Sequence, residues 1–251
     1  MSSSFDLSGR VAVVTGANTG IGQGIAIALA KAGASIVAVG RSAMDETKAQ
    51  IDAVGSTFHE VRADLDSIAP VDDIVTEAIS KFGALDILVN NAGIIRRADA
   101  IDFTEADWDA VMNVNLKTAF FLSQAAARHM LPRGTGKIIN IASLLSFQGG
   151  IRIPSYTASK SGLAGLTRLL ACEWAGKGVN VNAIAPGYFV TNNTTALRED
   201  PDRNAAILGR IPAGRWGVPE ELGGAAVFLA SDAANYVHGT VLPVDGGWLA
   251  R

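Results

Sequence analysis

Short apolar runs alternate along this chain with longer stretches in which apolar residues recur every three or four positions. The run Val11–Val14 is continuous, as a strand buried on both faces must be, and Ile21–Ala32 behind it has helical spacing. The alternation repeats to the C-terminus. It predicts strands at 11–15, 35–39, 57–61, 86–90, 137–142, 179–184 and 240–244. Helices are predicted at 21–32, 44–54, 70–82, 105–130, 155–176 and 219–230, with a less regular one near 195–209. Strands and helices in this order imply an α/β fold, a parallel sheet with right-handed crossovers and helices on both faces. No linker, charge run, low-complexity segment or repeat interrupts the 251 residues, so 1–251 is expected to be one domain.

Sheets of this kind bind ligands outside the carboxyl ends of their strands, where the strand order reverses. Gly16, Asn90, Ser143 and Pro186 fall at or just past predicted strand ends, so the candidates gather on one edge. In TGANTGIG, Gly16, Gly20 and Gly22 give a turn where backbone can approach a ligand without a Cβ in the way. The next helix points free N–H groups and its positive dipole end at the same place, typically at a pyrophosphate. Such a turn can be plain punctuation; strand, turn and helix in register favour a nucleotide.

Tyr156 precedes Lys160 by one helical turn, and Ser143 closes the strand-like run KIINIAS. An ammonium beside a phenol lowers its pKa from about 10 towards neutrality. With a serine holding a carbonyl, the set suggests proton transfer coupled to carbonyl chemistry. The plain alternative for a Tyr-x-x-x-Lys pair is a core phenol beside a solvated charge.

Composition narrows the classes. The formal charge of −3 and the lack of a basic block argue against nucleic acid, and no apolar run approaches membrane-spanning length. The start, MSSSFDLSGR, has no signal-peptide pattern. Cys172 is the only cysteine, which leaves no intrachain disulfide or thiol metal cluster; it reads as a small core hydrophobe in a cytoplasmic protein, and no metal site is predicted.

Taken together, Thr15–Gly22, Asp64–Leu65, Asn90–Gly93 (NNAG), Asn115 in VNL, Ser143, Tyr156 with Lys160, and Pro186–Gly187 with Thr191 resemble the short-chain dehydrogenase/reductase family. The resemblance covers essentially the whole chain. It implies a single-domain Rossmann fold with strand order 3-2-1-4-5-6-7, NAD(P) as cofactor and a homotetramer; the apolar Trp248–Leu249 near the C-terminus would be left exposed in a monomer. It implies Tyr156 as acid or base, with Lys160 tuning it and bonding the nicotinamide ribose. Ser143 would position the substrate oxygen, and Asn115 would hold a water that links Lys160 to solvent. Asn113 competes with Asn115, which could equally be a satisfied buried amide. The implied cofactor contacts are Gly16, Asn18, Thr19, Gly20, Ile21, Gly22, Arg41, Asp64, Leu65, Asn91, Ala92, Gly93, Tyr156, Lys160, Pro186, Gly187 and Thr191. Asn90 would shape the cleft through its turn, and 187–214 would cover the substrate.

NAD enzymes usually carry a carboxylate at the end of strand two; here that position is Gly40, followed by Arg41. Arg41 suits a 2′-phosphate, so NADP(H) is favoured over NAD(H), although an arginine stacked on adenine is compatible with either. On the substrate side Arg96, Arg97, Gln148 and Arg152 border the expected pocket, and Arg152 is the first choice to anchor an anion. The strings NNAGIIRRADA, IASLLSFQGGIR and VDGGWLAR resemble the branch of 2-deoxy-D-gluconate 3-dehydrogenases and 2-dehydro-3-deoxy-D-gluconate 5-dehydrogenases. That resemblance implies a small sugar-acid substrate and, usually, NAD. Two rivals are a 3-oxoacyl-carrier-protein reductase, docking through Arg128, His129 and Arg133, and a cofactor-binding regulator without turnover.

Overall fold

The computed structural model describes residues 3–251. In chain order the first half runs β1 (Val11–Thr15), α1 (Gly20–Lys31), β2 (Ser35–Gly40), α2 (Asp45–Ala53), β3 (Phe58–Arg62), α3 (Val71–Phe82), β4 (Ile87–Asn90), α4 (Glu105–Met112) and α5 (Ala119–Arg133). The second half runs β5 (Gly136–Ile141), α6 (Pro154–Trp174), β6 (Val179–Pro186), α7 (Thr195–Glu199), α8 (Pro201–Leu208), α9 (Gly223–Ala230) and β7 (Val241–Val244). All seven strands are parallel, in the order β3-β2-β1-β4-β5-β6-β7. The predicted sheet and its order are both present.

The continuous apolar runs have a direct cause. β1, β4, β5 and β6 are buried at every position. Alternate residues enter two different cores. Ala12, Val14, Ile87 and Val89 pack with Ile25, Leu29 and Leu229 of α1 and α9. Val11, Val13 and Leu88 pack with Ile74, Leu122 and Leu170 of α3, α5 and α6. Each fully buried Val, Leu or Ile contributes about 1.5–3 kcal/mol, so these layers fix the frame on which the strand ends sit.

Several elements depart from the predicted boundaries. The helix expected at 105–130 is broken by a π-helical segment, Asn113–Thr118, and α5 continues through Pro132 in its last turn. The segment near 195–209 is two helices, because the Asp200 side chain accepts from the backbone N–H groups of Asp202 and Arg203 and Pro201 restarts the helix. Cys172, expected in the core, is exposed on α6. Trp248, expected to need a partner subunit for cover, is buried within its own chain against Leu144, Ile207 and Ile211. Among the described residues, no helix is long and apolar enough to cross a membrane.

Candidate active site

The carboxyl ends of β1, β4, β5 and β6 open into a cleft of about 460 Å³. Gly16 has φ +66°, and a Cβ on Gly22 would stand 2.2 Å from the Gly16 carbonyl oxygen and 2.3 Å from Asn91 Nδ2. No side chain fits there, so the β1–α1 turn lies directly on the NNAG turn. Asn91 holds it by donating to the carbonyls of Thr15 (2.8 Å) and Gly16 (3.3 Å). Thr15 Oγ1 accepts from the backbone N–H groups of Asn91 and Ala92, both at 3.0 Å. α1 then starts after an extended Thr19 that makes no side-chain cap, which leaves first-turn N–H groups for an anionic ligand.

Asn18, Thr19, Gly20 and Ile21 line this side of the cleft, with Ala92 and Gly93 at its floor and Pro186, Gly187 and Thr191 opposite. The glycine cradle and the uncapped helix fit a dinucleotide. Asn90 is different: its side chain turns into the core and donates to Ser123 Oγ (2.8 Å) and Asn140 Oδ1 (2.9 Å).

An adjoining cavity of about 550 Å³ lies at the end of β2, with Arg41, Asp64 and Leu65 in its wall. A Cβ on Gly40 would already stand 3.3 Å from Asn18 Oδ1, which leaves little room for a carboxylate at that position. Asn18 Nδ2 donates to Ser42 Oγ at 3.0 Å, and Arg41 lies 3.7 Å from Asp64. Ser42 was not singled out by sequence; its place directly after Gly40–Arg41 is the signal for it.

Ser143 stands two residues past β5, Tyr156 is the third residue of α6, and Lys160 follows one turn later. All three line the cleft. Lys160 Nζ donates to the Ile141 carbonyl (2.6 Å) and lies 5.7 Å from the centre of the Tyr156 ring. The ammonium is buried, which lowers its pKa to about 8.

The expected lowering of the Tyr156 pKa by Lys160 is not what this geometry gives. Burial raises the phenol's pKa, while a hydrogen bond with Ser143 and the charge of Arg97 act against it. Lys160 is held to the strand rather than to the phenol oxygen, so burial wins and the Tyr156 phenol is neutral at physiological pH.

Asn115 sits in the π-helical segment, fully buried. Its Oδ1 accepts from Ile94 N (2.8 Å), and its Nδ2 donates to Ile94 O (3.0 Å) and Ser159 Oγ (3.3 Å). The side chain is therefore a clamp on the segment that follows NNAG. Asn113 forms the start of the same segment.

A second cavity, of about 470 Å³, shares Ser143 and Tyr156 with the cleft. Gln148 lines it, but Arg152 and Arg96 do not. Arg152, at φ +64°, pairs with Asp99 (3.0 Å) and ties two loops together; Arg96 pairs with Asp107 (3.2 Å) and faces the cofactor side. Arg97, Arg203 and Arg210 line the cavity instead, with no Asp or Glu in its wall and no ion pair to any of the three among the described residues. Arg203 and Arg210 were missed from sequence; Arg203 lies in α8 and Arg210 in the turn just past its end.

The proposed carrier-protein contacts lie elsewhere. Arg128, His129 and Arg133 close α5, and Arg133 bonds Asp86 (2.6 Å) at the amino edge of the sheet, opposite the cleft.

Residues 16–249 match a family model described as Enoyl-(Acyl carrier protein) reductase. The chain is 59% identical over 250 residues to the 2-dehydro-3-deoxy-D-gluconate 5-dehydrogenase of Escherichia coli (strain K12), covering 99% of each. Among solved structures it is similar to a proposed 2-deoxy-D-gluconate 3-dehydrogenase of Agrobacterium tumefaciens with bound NADP, at 60% identity, TM-score 0.95 and full coverage of both chains. It is also similar to a proposed NAD(P)-dependent gluconate 5-dehydrogenase of Beutenbergia cavernae with bound NADP. There the identity is 52% and the TM-score 0.95, over 99% of this chain and 100% of that one.

Proposed function

The chain belongs to the short-chain dehydrogenase/reductase family, and we propose that it moves a hydride between NAD(P) and a secondary alcohol or ketone of a sugar acid of the 2-dehydro-3-deoxy-D-gluconate or 2-deoxy-D-gluconate type. The observation that carries this reading is the cavity beside Ser143 and Tyr156, where Arg97, Arg203 and Arg210 face one space without a carboxylate. All three are solvent-exposed at the cavity rim, so an anionic substrate entering it meets three positive charges and no negative one. Relatives named for sugar acids point the same way.

In reduction, the Ser143 hydroxyl donates to the substrate carbonyl oxygen and fixes its position. Tyr156 donates the proton to that oxygen as the alcohol forms; in oxidation, a phenolate takes the proton back. Lys160, with an ammonium pKa near 8, supplies positive charge beside the phenolate as it develops. When bound, the nicotinamide supplies the hydride in reduction and accepts it in oxidation. Gly16, Gly22, Asn91 and Gly93 would cradle its dinucleotide, with Lys160 and Thr191 at the nicotinamide end. The segment 187–214, which contains α7 and α8, serves as the substrate cover.

The inferred cofactor preference is NADP(H). Arg41, Ser42 and Asn18 gather at the end of β2, and Gly40 supplies no charge to repel a 2′-phosphate. Arg41→Asp removes a charge-assisted contact worth about 1.5–3 kcal/mol. The NADPH over NADH preference, read from fluorescence binding, should fall at least tenfold; tighter NADH binding by the wild type would reverse the inference. A cytoplasmic setting suits the exposed thiol of Cys172.

The substrate reading is tested by a panel of sugar acids and acyl thioesters with each reduced cofactor, followed through nicotinamide absorbance. Turnover of 2-dehydro-3-deoxy-D-gluconate well above any thioester is expected. Good thioester reduction without sugar-acid turnover would overturn the sugar-acid reading.

A further inference from the structure

We propose that the substrate carboxylate is held by Arg203 and Arg210 on the cover segment, and that Trp248, near the C-terminus, and Gln148 are positioning residues for Arg210. The inference rests on the sugar-acid reading and adds where the charged end lies.

Arg210 is arranged as an anion receptor. Its guanidinium lies 4.1 Å from the centre of the Trp248 ring, and Nη2 donates to Gln148 Oε1 at 3.3 Å. Trp248 Nε1 donates to the same oxygen at 3.1 Å. Ring and amide thus fix the plane of the guanidinium while leaving its charge unneutralised and most of its donors free. A planar fork held in this way suits the two oxygens of a carboxylate. Trp248 is itself buried and packed against Tyr188, with ring centres 4.8 Å apart, so the support for Arg210 is rigid.

Arg203 adds the second charge. Two carboxylates neighbour it along the chain: Asp202 makes no ion pair with it among the described residues, and Asp200 has one oxygen accepting from two backbone N–H groups at the start of α8, at 3.1 and 3.0 Å. It caps the helix and makes no ion pair with the Arg203 guanidinium. The charges of Arg203 and Arg210 are felt at Tyr188, whereas that of Arg97 is felt at Tyr156. Arg97 also donates to Asn193 O at 3.2 Å. The cavity therefore has a reacting end, with Ser143, Tyr156 and Arg97, and a charged end formed by Arg203 of α8 and Arg210 just past it.

The test compares 2-dehydro-3-deoxy-D-gluconate with its neutral carboxamide, in wild type and in Arg203→Gln, Arg210→Gln and Arg97→Gln. Each lost charge-assisted bond should raise KM for the acid about 10–100-fold in the Arg203 and Arg210 variants. The acid-over-amide ratio of kcat/KM should fall by a similar factor. NADPH affinity, measured by fluorescence, reports folding and should stay at the wild-type value.

Gln148→Glu sets a carboxylate against Arg210 and should raise KM for the acid without lowering kcat as much. Trp248→Leu should do the same by releasing the guanidinium, and Trp248→Phe should recover most of the loss. An unchanged acid-over-amide ratio in both Arg203→Gln and Arg210→Gln, with a collapse in Arg97→Gln, would place the carboxylate at the reacting end and overturn the proposal while the sugar-acid reading stands. Wild type that ignores the acid altogether would remove both.

Discussion

Tyr156 lines the cleft beside Ser143, and burial raises its pKa, which keeps the phenol protonated for the proposed donor role. Tyr156→Phe keeps the ring and removes the donor, so turnover should fall about 10²–10⁴-fold with cofactor affinity retained. Near-normal turnover in the folded variant would sink the mechanism. Lys160 makes a separate prediction through pH. Its pKa is about 8 in the folded chain against 10.5 for an ordinary lysine. The cost of burying its charge is therefore complete below pH 8 and is relieved as pH rises from 8 towards 10.5, where the unfolded chain holds the extra proton. Denaturant midpoints of wild type minus Lys160→Met should rise across that window; a flat difference would mean that the ammonium is not buried as described. At this scale the meeting of Ser143, Tyr156 and Lys160 in one cleft was legible because they lie at strand-end and helix positions that local pattern fixes. The arginines proposed to hold the anion were not, since Arg152 and Arg203 look alike until their partners are known. One is neutralised by Asp99, and the other faces a cavity.

At the scale of elements, the turns that build the cleft hold one another in place. The π-helical segment carries Asn115 inward, where three hydrogen bonds tie it to Ile94 and Ser159 and so connect the NNAG turn to α6. Asn115→Ala leaves the N–H and C=O of Ile94 without these partners at a partly buried site, which typically costs about 1–3 kcal/mol. The melting temperature should drop, and KM for the cofactor should rise as Gly93 loses its support. Unchanged stability and KM would show that the clamp is dispensable. Strands and helices were read nearly in full from apolar periodicity, because burial on both faces of the sheet demands continuous runs. The π-helical break within 105–130 was hidden, since its sequence, NVNLKT, keeps helical character and only the inward turn of Asn115 sets it apart. The start of α8 was signalled by Asp200–Pro201, a cap followed by a residue suited to a first helical turn.

For the whole molecule, the open question is what covers its exposed apolar residues. Burial of Trp248 within its own chain removes the C-terminal argument for association. Two exposed apolar residues lie on adjacent helices. Trp108 of α4 is 40% exposed and Leu169 of α6 is 49% exposed, large side chains on elements that pack on one another. The β7 strand ends the sheet with an edge that only Pro243 interrupts. From these two distinct surfaces, a helical face and a strand edge, we propose a homotetramer, the smallest closed assembly with two kinds of twofold contact. Light scattering at micromolar concentration should therefore give four times the mass of the chain. Leu169→Lys introduces an unpaired charge into the helical contact and should reduce the species to a dimer, while a change at the β7 edge should leave the helical pair intact. A monomer mass for wild type would show that Trp108 and Leu169 are simply solvated, and that the cleft is complete within one chain.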